Sequence, residues 1–149
     1  MKKFYLLLGA AMLSAGITAA VLDTIQVDGV YYQLNEDTQT AAVIRKDAKF
    51  VYEQEAVVIP VSVSKDGKTY DVTAVEKGAF AKATCQSITF AEGSKVTMLG
   101  MMAFQNATNL EELAIPEGVK YLPMTCLHCT NNTMKLHKLT LPSTLDSLD

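Results

Sequence analysis

A pattern of apolar positions recurs along the second half of the chain, with Val72, Val96 and Val119 opening successive copies at spacings of 24 and 23 residues. The fourth position of each copy is apolar. The eighth and ninth positions hold Ala-Phe or, in the third copy, Cys-Leu. Each copy closes on an apolar-polar-apolar triplet, and the second and third triplets are followed by Pro. The positions expected in the core are Val72, Val75, Ala79, Phe80, Ile88 and Phe90; Val96, Leu99, Ala103, Phe104, Leu113 and Ile115; and Val119, Leu122, Cys126, Leu127, Leu139 and Leu141.

This repetition predicts a mostly β solenoid of about three repeats of 23–26 residues, over residues 72–149. The triplets predict very short strands, because alternation places every second side chain on one face. One copy cannot bury its own apolar face, whereas stacked copies cover one another. Phe80, Phe104 and Leu127 share a slot and should form one continuous column. A fourth copy opens at Leu145 and is incomplete, which indicates a piece of a longer repeat protein or an end that a partner covers.

Residues 21–71 do not repeat and predict an N-terminal β-hairpin cap or leader. The run VYYQLNEDTQTAAVI and the run VVIPVSVSKDGKTYDVTAV each indicate strand, turn, strand. In the second run Asp66-Gly67 supplies the positive φ values of a tight hairpin. Pro60 interrupts its first strand, which favours an edge strand or a bulge.

Residues 1–20 are typical of a cleavable signal peptide. Lys2 and Lys3 precede an apolar run of 14 residues, and small residues lie before Val21. The run is shorter than the roughly 20 residues of a membrane span. There is no Cys near the cleavage site, so a lipoprotein is not indicated. Loss of the peptide takes the net charge from −3 to −5, which argues against nucleic acid as a partner.

The chain offers little material for catalysis or for a metal. Its two histidines lie close to two of its three cysteines, as Cys126, His128, Cys129 and His137. This spacing is not a standard zinc pattern. A Cys126–Cys129 disulfide and simple packing of Cys126 as a small apolar residue remain open beside a metal site. We expect no cofactor, no metal and no enzymatic activity.

The frame V-T-x-[VL]-x-x-x-A-F, followed by a loop and L-x-I-P-x-G-V, resembles the BspA-like leucine-rich repeat. The resemblance spans about residues 28–148 and includes the hairpin-rich leader. In that family a Cys commonly follows the Ala-Phe pair by three residues, whereas Ala83 and Ala107 occupy the place here, and Pro123 departs from the family at the third repeat. The resemblance implies a leucine-rich-repeat-type solenoid on a secreted or surface protein of a host-associated bacterium.

The resemblance therefore implies a non-catalytic, secreted, periplasmic or cell-surface protein that binds host or bacterial surface macromolecules, with adhesion to protein as the leading function. The variable segments 81–86, 105–111 and 128–137 are the candidate binding loops, because they diverge while the frame holds. The alternatives are a carbohydrate-binding accessory module of a polysaccharide-uptake system and an enzyme with an unrecognised site. Tyrosines that could stack on sugars are Tyr31, Tyr32, Tyr52, Tyr70 and Tyr121.

Overall fold

The computed structural model describes residues 23–131 and 133–148. The predicted signal peptide, residues 1–20, lies outside the described residues. The described residues form strands without a helix, as the repeat pattern predicted, so none of their segments is a helix that could cross a bilayer. The strands are β1 (Asp23–Val27), β2 (Val30–Asn35), β3 (Thr40–Ile44), β4 (Ala56–Ile59), β5 (Ser62–Lys65), β6 (Lys68–Val75), β7 (Ser87–Phe90), β8 (Met98–Leu99), β9 (Glu112–Ala114), β10 (Tyr121–Leu122), β11 (Lys138–Thr140) and β12 (Ser147–Leu148).

One side of the solenoid is a parallel sheet of four strands in the order β4-β7-β9-β11. The strands β7, β9 and β11 contain or overlap the predicted triplets. Ile88 pairs with Leu113, and Leu113 pairs with Leu139. Each coil of the chain therefore contributes one short strand, and the predicted mostly β solenoid is confirmed.

A second column of short parallel strands is formed by the start of each repeat. Val75 on β6 pairs with Leu99 on β8, and Leu122 on β10 pairs with Leu148 on β12. Between these strands and the triplets, the backbone turns a corner at the Ala-Phe pair. There the Phe80 amide donates to the Ala103 carbonyl at 2.8 Å.

The recurring slots of the repeat converge inside the coils. Phe80 and Phe104 are fully buried, and their rings stack at 5.8 Å with an interplanar angle of 3°. The Phe104 amide donates to the Cys126 carbonyl at 2.9 Å, which carries the corner into the third coil. Leu127, the third residue of the slot, is half-buried and packs against the same core. The column thus passes through two tightly packed rings and loosens at the third coil.

Tyr52 extends this column in the other direction, from a segment that does not repeat. Its ring lies 4.8 Å from that of Phe80 and is only 1% exposed. Phe50 packs edge-on against Tyr52 at 4.9 Å. The cap therefore supplies aromatic side chains where a preceding repeat would supply its own.

The cap is a sheet in the order β1-β2-β3-β6-β5, and it shares β6 with the repeats. The predicted hairpins are present. Strands β2 and β3 pair antiparallel, and β5 and β6 pair around Asp66 and Gly67, which have φ values of 51° and 78°. A third hairpin, β1–β2, was not predicted. Strand β3 lies parallel to β6, so the cap sheet runs directly into the repeat strands.

The run that contains Pro60 forms two strands in two different sheets. Strand β4 ends at Ile59 and pairs in parallel with β7, with Ile59 opposite Phe90. Strand β5 begins at Ser62 and pairs antiparallel with β6 in the cap. Since proline cannot donate to a ladder, Pro60 marks the point where the chain changes sheets. The leader segment therefore contributes the first strand of the parallel sheet as well as the cap.

Most residues expected in the repeat core are buried, and four are not. Phe90 and Leu127 are half-buried. Leu139 and Leu141 are 40% and 41% exposed, contrary to the expectation that they lie in the core. Strand β11 pairs with β9 along one edge, and within the described chain no strand covers its other edge. A side chain at this slot is buried only when coils lie on both sides of it.

Replacing Tyr52 by Phe should lower stability and weaken its dependence on alkaline pH. The Tyr52 hydroxyl donates to the Ile44 carbonyl at 2.5 Å and accepts from the Tyr31 amide at 3.0 Å. Losing these bonds should cost about 1–2 kcal/mol at neutral pH. Burial raises the pKa of Tyr52 to about 12, so the folded state holds the phenolic proton more tightly than the unfolded chain does. This contribution to stability is complete below pH of about 10 and is lost as pH rises toward about 12.

The measurement is urea unfolding at neutral pH and at several pH values between about 10 and 12. Tyr31→Phe is the matched control, because it also removes a tyrosine hydroxyl. It keeps the ring of residue 31 and the backbone amide that donates to the Tyr52 hydroxyl. Equal stability and equal alkaline dependence in Tyr52→Phe and the wild type would show that the Tyr52 hydroxyl does not join the cap to the column.

Candidate functional site

The three variable segments lie side by side on one face of the solenoid, defined here as the loop face (residues 81–86, 105–111 and 128–137). The Lys82 amide donates to the Gln105 carbonyl at 2.7 Å, and the Asn106 amide donates to the His128 carbonyl at 2.9 Å. The Lys135 amide donates to the Thr108 carbonyl at 3.0 Å. The loops are thus joined to one another as regularly as the strands are.

The amide side chains of the loop face mostly serve this stacking. Asn106 has a φ of 55°, in the left-handed region that Asn tolerates. Its Oδ1 accepts from the Thr130 amide at 2.8 Å and from the Thr130 hydroxyl at 3.1 Å. Asn109 donates from Nδ2 to the Thr84 carbonyl at 3.4 Å. These side chains bridge neighbouring coils, so their polar atoms are partly committed to the protein itself.

The histidine and cysteine group does not assemble into a reactive centre. Cys126 is buried at the corner of the third coil, and burial raises its pKa to about 11. Cys129 lies further out, where hydrogen bonds from the backbone of Thr133 and Asn131 lower its pKa. All three cysteines are free thiols, so the Cys126–Cys129 disulfide is not formed. Within the part of the chain that the structure describes, no three potential ligands come together to hold a metal.

The five tyrosines that could stack on sugars do not form a platform. Tyr32, Tyr52 and Tyr70 are each 1% exposed, and Tyr31 is half-buried. Tyr121 alone of the five is well exposed, at 46%. The tyrosines therefore serve mainly as core residues of the cap.

A second surface, which the sequence did not predict, carries large exposed apolar side chains. We define it as the methionine surface: Met98, Met101, Tyr121 and Met124, with exposures between 46% and 77%. These residues occupy the third and sixth positions of the second and third repeats. Met98 and Tyr121 therefore hold one slot in neighbouring coils, and Met101 and Met124 hold another. The signal in the sequence was the apolar character of these two outward slots in both copies.

Two cavities open where the cap meets the first repeat, on the side of β6. The larger has a volume of about 490 Å³ and is lined by Gln33, Ile44, Arg45, Asp47, Ala48, Glu76 and Lys77. The smaller has about 180 Å³ and lies over Ala42 and Ala74. Gln33 and Glu76 line both, so the two cavities are adjacent. Polar and charged side chains dominate the larger one.

A third cavity of about 380 Å³ lies at the ends of the triplets. Phe90, Ala91 and Gly93 form one wall, and Ile115, Pro116 and Glu117 form the other. The Glu117 carboxylate accepts hydrogen bonds from the Ser143 amide and hydroxyl, each at 3.0 Å. These bonds lower the pKa of Glu117 and tie its charge to the next coil.

Together, the coils, the cap and the side-by-side surfaces define a leucine-rich repeat solenoid. Six copies of the BspA type leucine-rich repeat region match residues 68–149, which is more than half of the chain. The chain therefore belongs to the BspA-type leucine-rich repeat family, as the resemblance implied. Leucine-rich repeat proteins of this kind are generally non-catalytic.

Solved structures of bacterial leucine-rich repeat proteins share the fold. A leucine-rich repeat protein from Bacteroides ovatus is 26% identical with a TM-score of 0.66, over 83% of this chain and 31% of that one. One from Bacteroides capillosus is 20% identical with a TM-score of 0.50, over 84% of this chain and 96% of that one. The pneumococcal vaccine antigen PcpA is 18% identical with a TM-score of 0.53, over 83% and 39%. Among curated proteins, none matches the chain.

Proposed function

We propose that this protein is a non-catalytic binding protein, exported from the cell and displayed or released at its surface, where it adheres to other proteins through its repeats. The observation that carries the proposal is the methionine surface. Large apolar side chains cost solubility when exposed, and contiguous ones on a monomer mark interaction sites. Family membership supports the same role by analogy.

The architecture suits such a role because neighbouring coils are fixed to one another at the Ala-Phe corner. Backbone hydrogen bonds link the corners of successive coils, and the aromatic column fills the interior. A rigid surface binds with less loss of conformational entropy than a mobile one. A stacked array therefore presents fixed contacts to a large partner without a deep pocket.

The proposed division of the chain is the one that the sequence indicates. Residues 1–20 are the proposed signal peptide, 21–71 the leader with its cap, and 72–149 the repeats. The leader also starts the parallel sheet through β4, so the cap and the repeats should unfold together. Export by a cleavable signal peptide is the proposed route to the surface.

The function is tested with purified protein against immobilised fibronectin, fibrinogen, laminin and type I collagen, in parallel with a glycan array. Saturable binding to at least one protein, with no glycan bound, is the expected result. Binding to glycans alone would favour the carbohydrate-binding alternative. Binding to neither would contradict the proposal. The buried positions of Tyr32, Tyr52 and Tyr70 are the reason that we expect the glycan array to be negative.

A further inference from the structure

The outer face of the cap sheet continues into the outer face of the repeats. In register, Gln33 lies opposite Ala42, Ala42 opposite Ala74, and Ala74 opposite Met98. Tyr121 holds the slot of Met98 in the next coil. One row of side chains therefore runs from the cap onto the methionine surface.

A second row lies beside the first and also starts near the cap. Lys77, Met101 and Met124 occupy the same slot in three successive coils. The Gly78 amide, next to Lys77, donates to the Met101 carbonyl at 3.0 Å. This bond holds the backbone at Lys77 close to the backbone at Met101. Lys77 also lines the larger cavity at the cap. The methionine surface and that cavity thus adjoin each other.

The two rows change in size and chemistry along their length. Ala42 and Ala74 are small and leave the hollow of about 180 Å³ between the cap and the first coil. Beyond them, Met98 and Tyr121 are large and are 49% and 46% exposed. A segment lying along the rows would meet a polar hollow first and apolar side chains next.

The border of this surface is basic, although the whole chain has a net charge of −3. Arg45, Lys77, Asp47 and Glu76 line the larger cavity, and Lys46 lies over the Tyr31 ring. By their positions in the chain, Lys49 and Lys120 flank the same border, as does Asp146 in the coil after Lys120, so five basic residues stand against three acidic ones. The Asp47 carboxylate accepts from the amides of Lys49 and Phe50, at 2.8 and 2.9 Å. Lys77 and Lys120 form no ion pair with any residue that the structure describes. The local excess of positive charge favours a partner with carboxylates.

We infer that the methionine surface and the adjoining cavities bind a polypeptide segment that combines apolar side chains with carboxylates. This inference rests on the proposed function and assigns its binding face and the chemistry of its partner. Methionine side chains adapt to varied apolar shapes, and tyrosine is enriched among residues that dominate interface energies. The loop face is the less suitable surface, because its amide groups bind the neighbouring coil.

The test uses synthetic peptides of about 15 residues that carry Leu, Met and Phe among Asp and Glu, and a second set with Lys in place of the acids. Binding is followed by fluorescence anisotropy at low and high salt. The acidic set should bind the wild type more tightly than the basic set, and salt should weaken it. Met101→Glu with Met124→Glu should weaken binding at least about tenfold. Lys77→Glu with Lys120→Glu should also weaken it and reduce its salt dependence.

Two matched variants separate this face from the others. Val58 is 60% exposed on the outer face of β4, so Val58→Glu places the same charge on an exposed apolar position of the opposite sheet. It should change affinity by less than about twofold, as should Gln105→Ala with His128→Ala on the loop face. All variants must keep the wild-type unfolding midpoint, which their exposed positions favour.

Several results would overturn the inference. One is equal affinity for the two peptide sets. Another is a loss of affinity in the Val58→Glu or loop-face variants that equals the loss in the double methionine variant. Self-association of the wild type in sedimentation, abolished by Met101→Glu with Met124→Glu, would make a second copy the occupant. If the double methionine variant still bound the immobilised matrix proteins, the face would be wrong and the function would stand. A wild type that bound none of those proteins would contradict the function itself.

Discussion

Replacing Phe104 by alanine is expected to lower the free energy of unfolding by about 3–5 kcal/mol, as for a fully buried aromatic side chain. Phe104 has no exposed surface, and its ring stacks on Phe80 at 5.8 Å. The coil on its other side is held at the same corner by the bond from its amide to Cys126. The cavity left by alanine would therefore lie between coils, where the backbone ladders oppose collapse.

The loss is measured as a shift of the urea midpoint by circular dichroism, which suits a chain without tryptophan. Phe104→Leu is the first control and should cost less than about 1.5 kcal/mol, because it keeps most of the volume. Met124→Ala is the second, because this exposed residue of the next coil should change stability by less than about 0.5 kcal/mol. A loss below about 1 kcal/mol in Phe104→Ala would mean that the aromatic column does not hold the coils together. If Phe104→Ala does not fold, the comparison of Phe104→Leu with Met124→Ala still ranks the two positions.

Replacing Gly100 by alanine is expected to cost about 3 kcal/mol, at the upper end of the usual cost of overpacking. A Cβ on Gly100 would lie 2.4 Å from the Lys77 nitrogen, 2.6 Å from the Glu76 carbonyl carbon and 2.8 Å from the Lys77 Cα. These are backbone atoms of the preceding coil, which cannot rotate away as a flexible side chain can. The Gly100 amide also donates to the Val75 carbonyl at 2.7 Å, so the two backbones are held together at this point. The methyl group would have to push two coils apart.

Gly93→Ala is the matched control for this substitution. Gly93 has a φ of 75° and nothing within 4 Å of its added Cβ, so alanine there meets backbone strain without a clash. That strain should cost about 1–2 kcal/mol. If Gly100→Ala proved no more costly than Gly93→Ala in the same urea titration, the close approach of coils at Gly100 would not be a constraint on the fold.

The sequence was sufficient to predict the repeat and most of its geometry. Valine, alanine and phenylalanine recur at fixed offsets, and side chains such as Val96, Ala103 and Phe104 are fully buried. Period-two triplets became the parallel strands, and Asp66-Gly67 became a tight hairpin. These features are local or periodic, so one sequence carries enough signal to identify them.

What the sequence could not show depends on which segments become neighbours. Val57 to Val63 alternates as one strand would, but its first half pairs with β7, well further along the chain, whereas its second half pairs with the adjacent β6. Tyr52 fills the aromatic column from outside the repeat frame, with no Ala beside it to mark the slot. Leu139 fits the core pattern and is nevertheless exposed, because burial requires a coil on each side.

The candidate binding face was missed for a related reason. Sequence divergence pointed to the loops, whereas the side chains of Asn106 and Asn109 in those loops bridge neighbouring coils. The outward slots of Met98 and Tyr121 differ in residue type, and Ala74 holds the slot in the first repeat. Only the pairing of β6 with β8, and the stacking of the next coil, brings these residues to one surface.

The direct test of the account is a double-mutant cycle at Phe80 and Phe104, made with leucine so that every variant folds. If the coils support each other through this contact, the loss of unfolding free energy in the double variant should differ from the sum of the losses in the two single variants. The expected difference is about 0.5–1.5 kcal/mol, the coupling of a stacked aromatic pair. Additivity within about 0.3 kcal/mol would show that the two rings contribute independently, and the claim that neighbouring repeats stabilise each other through this column would be wrong.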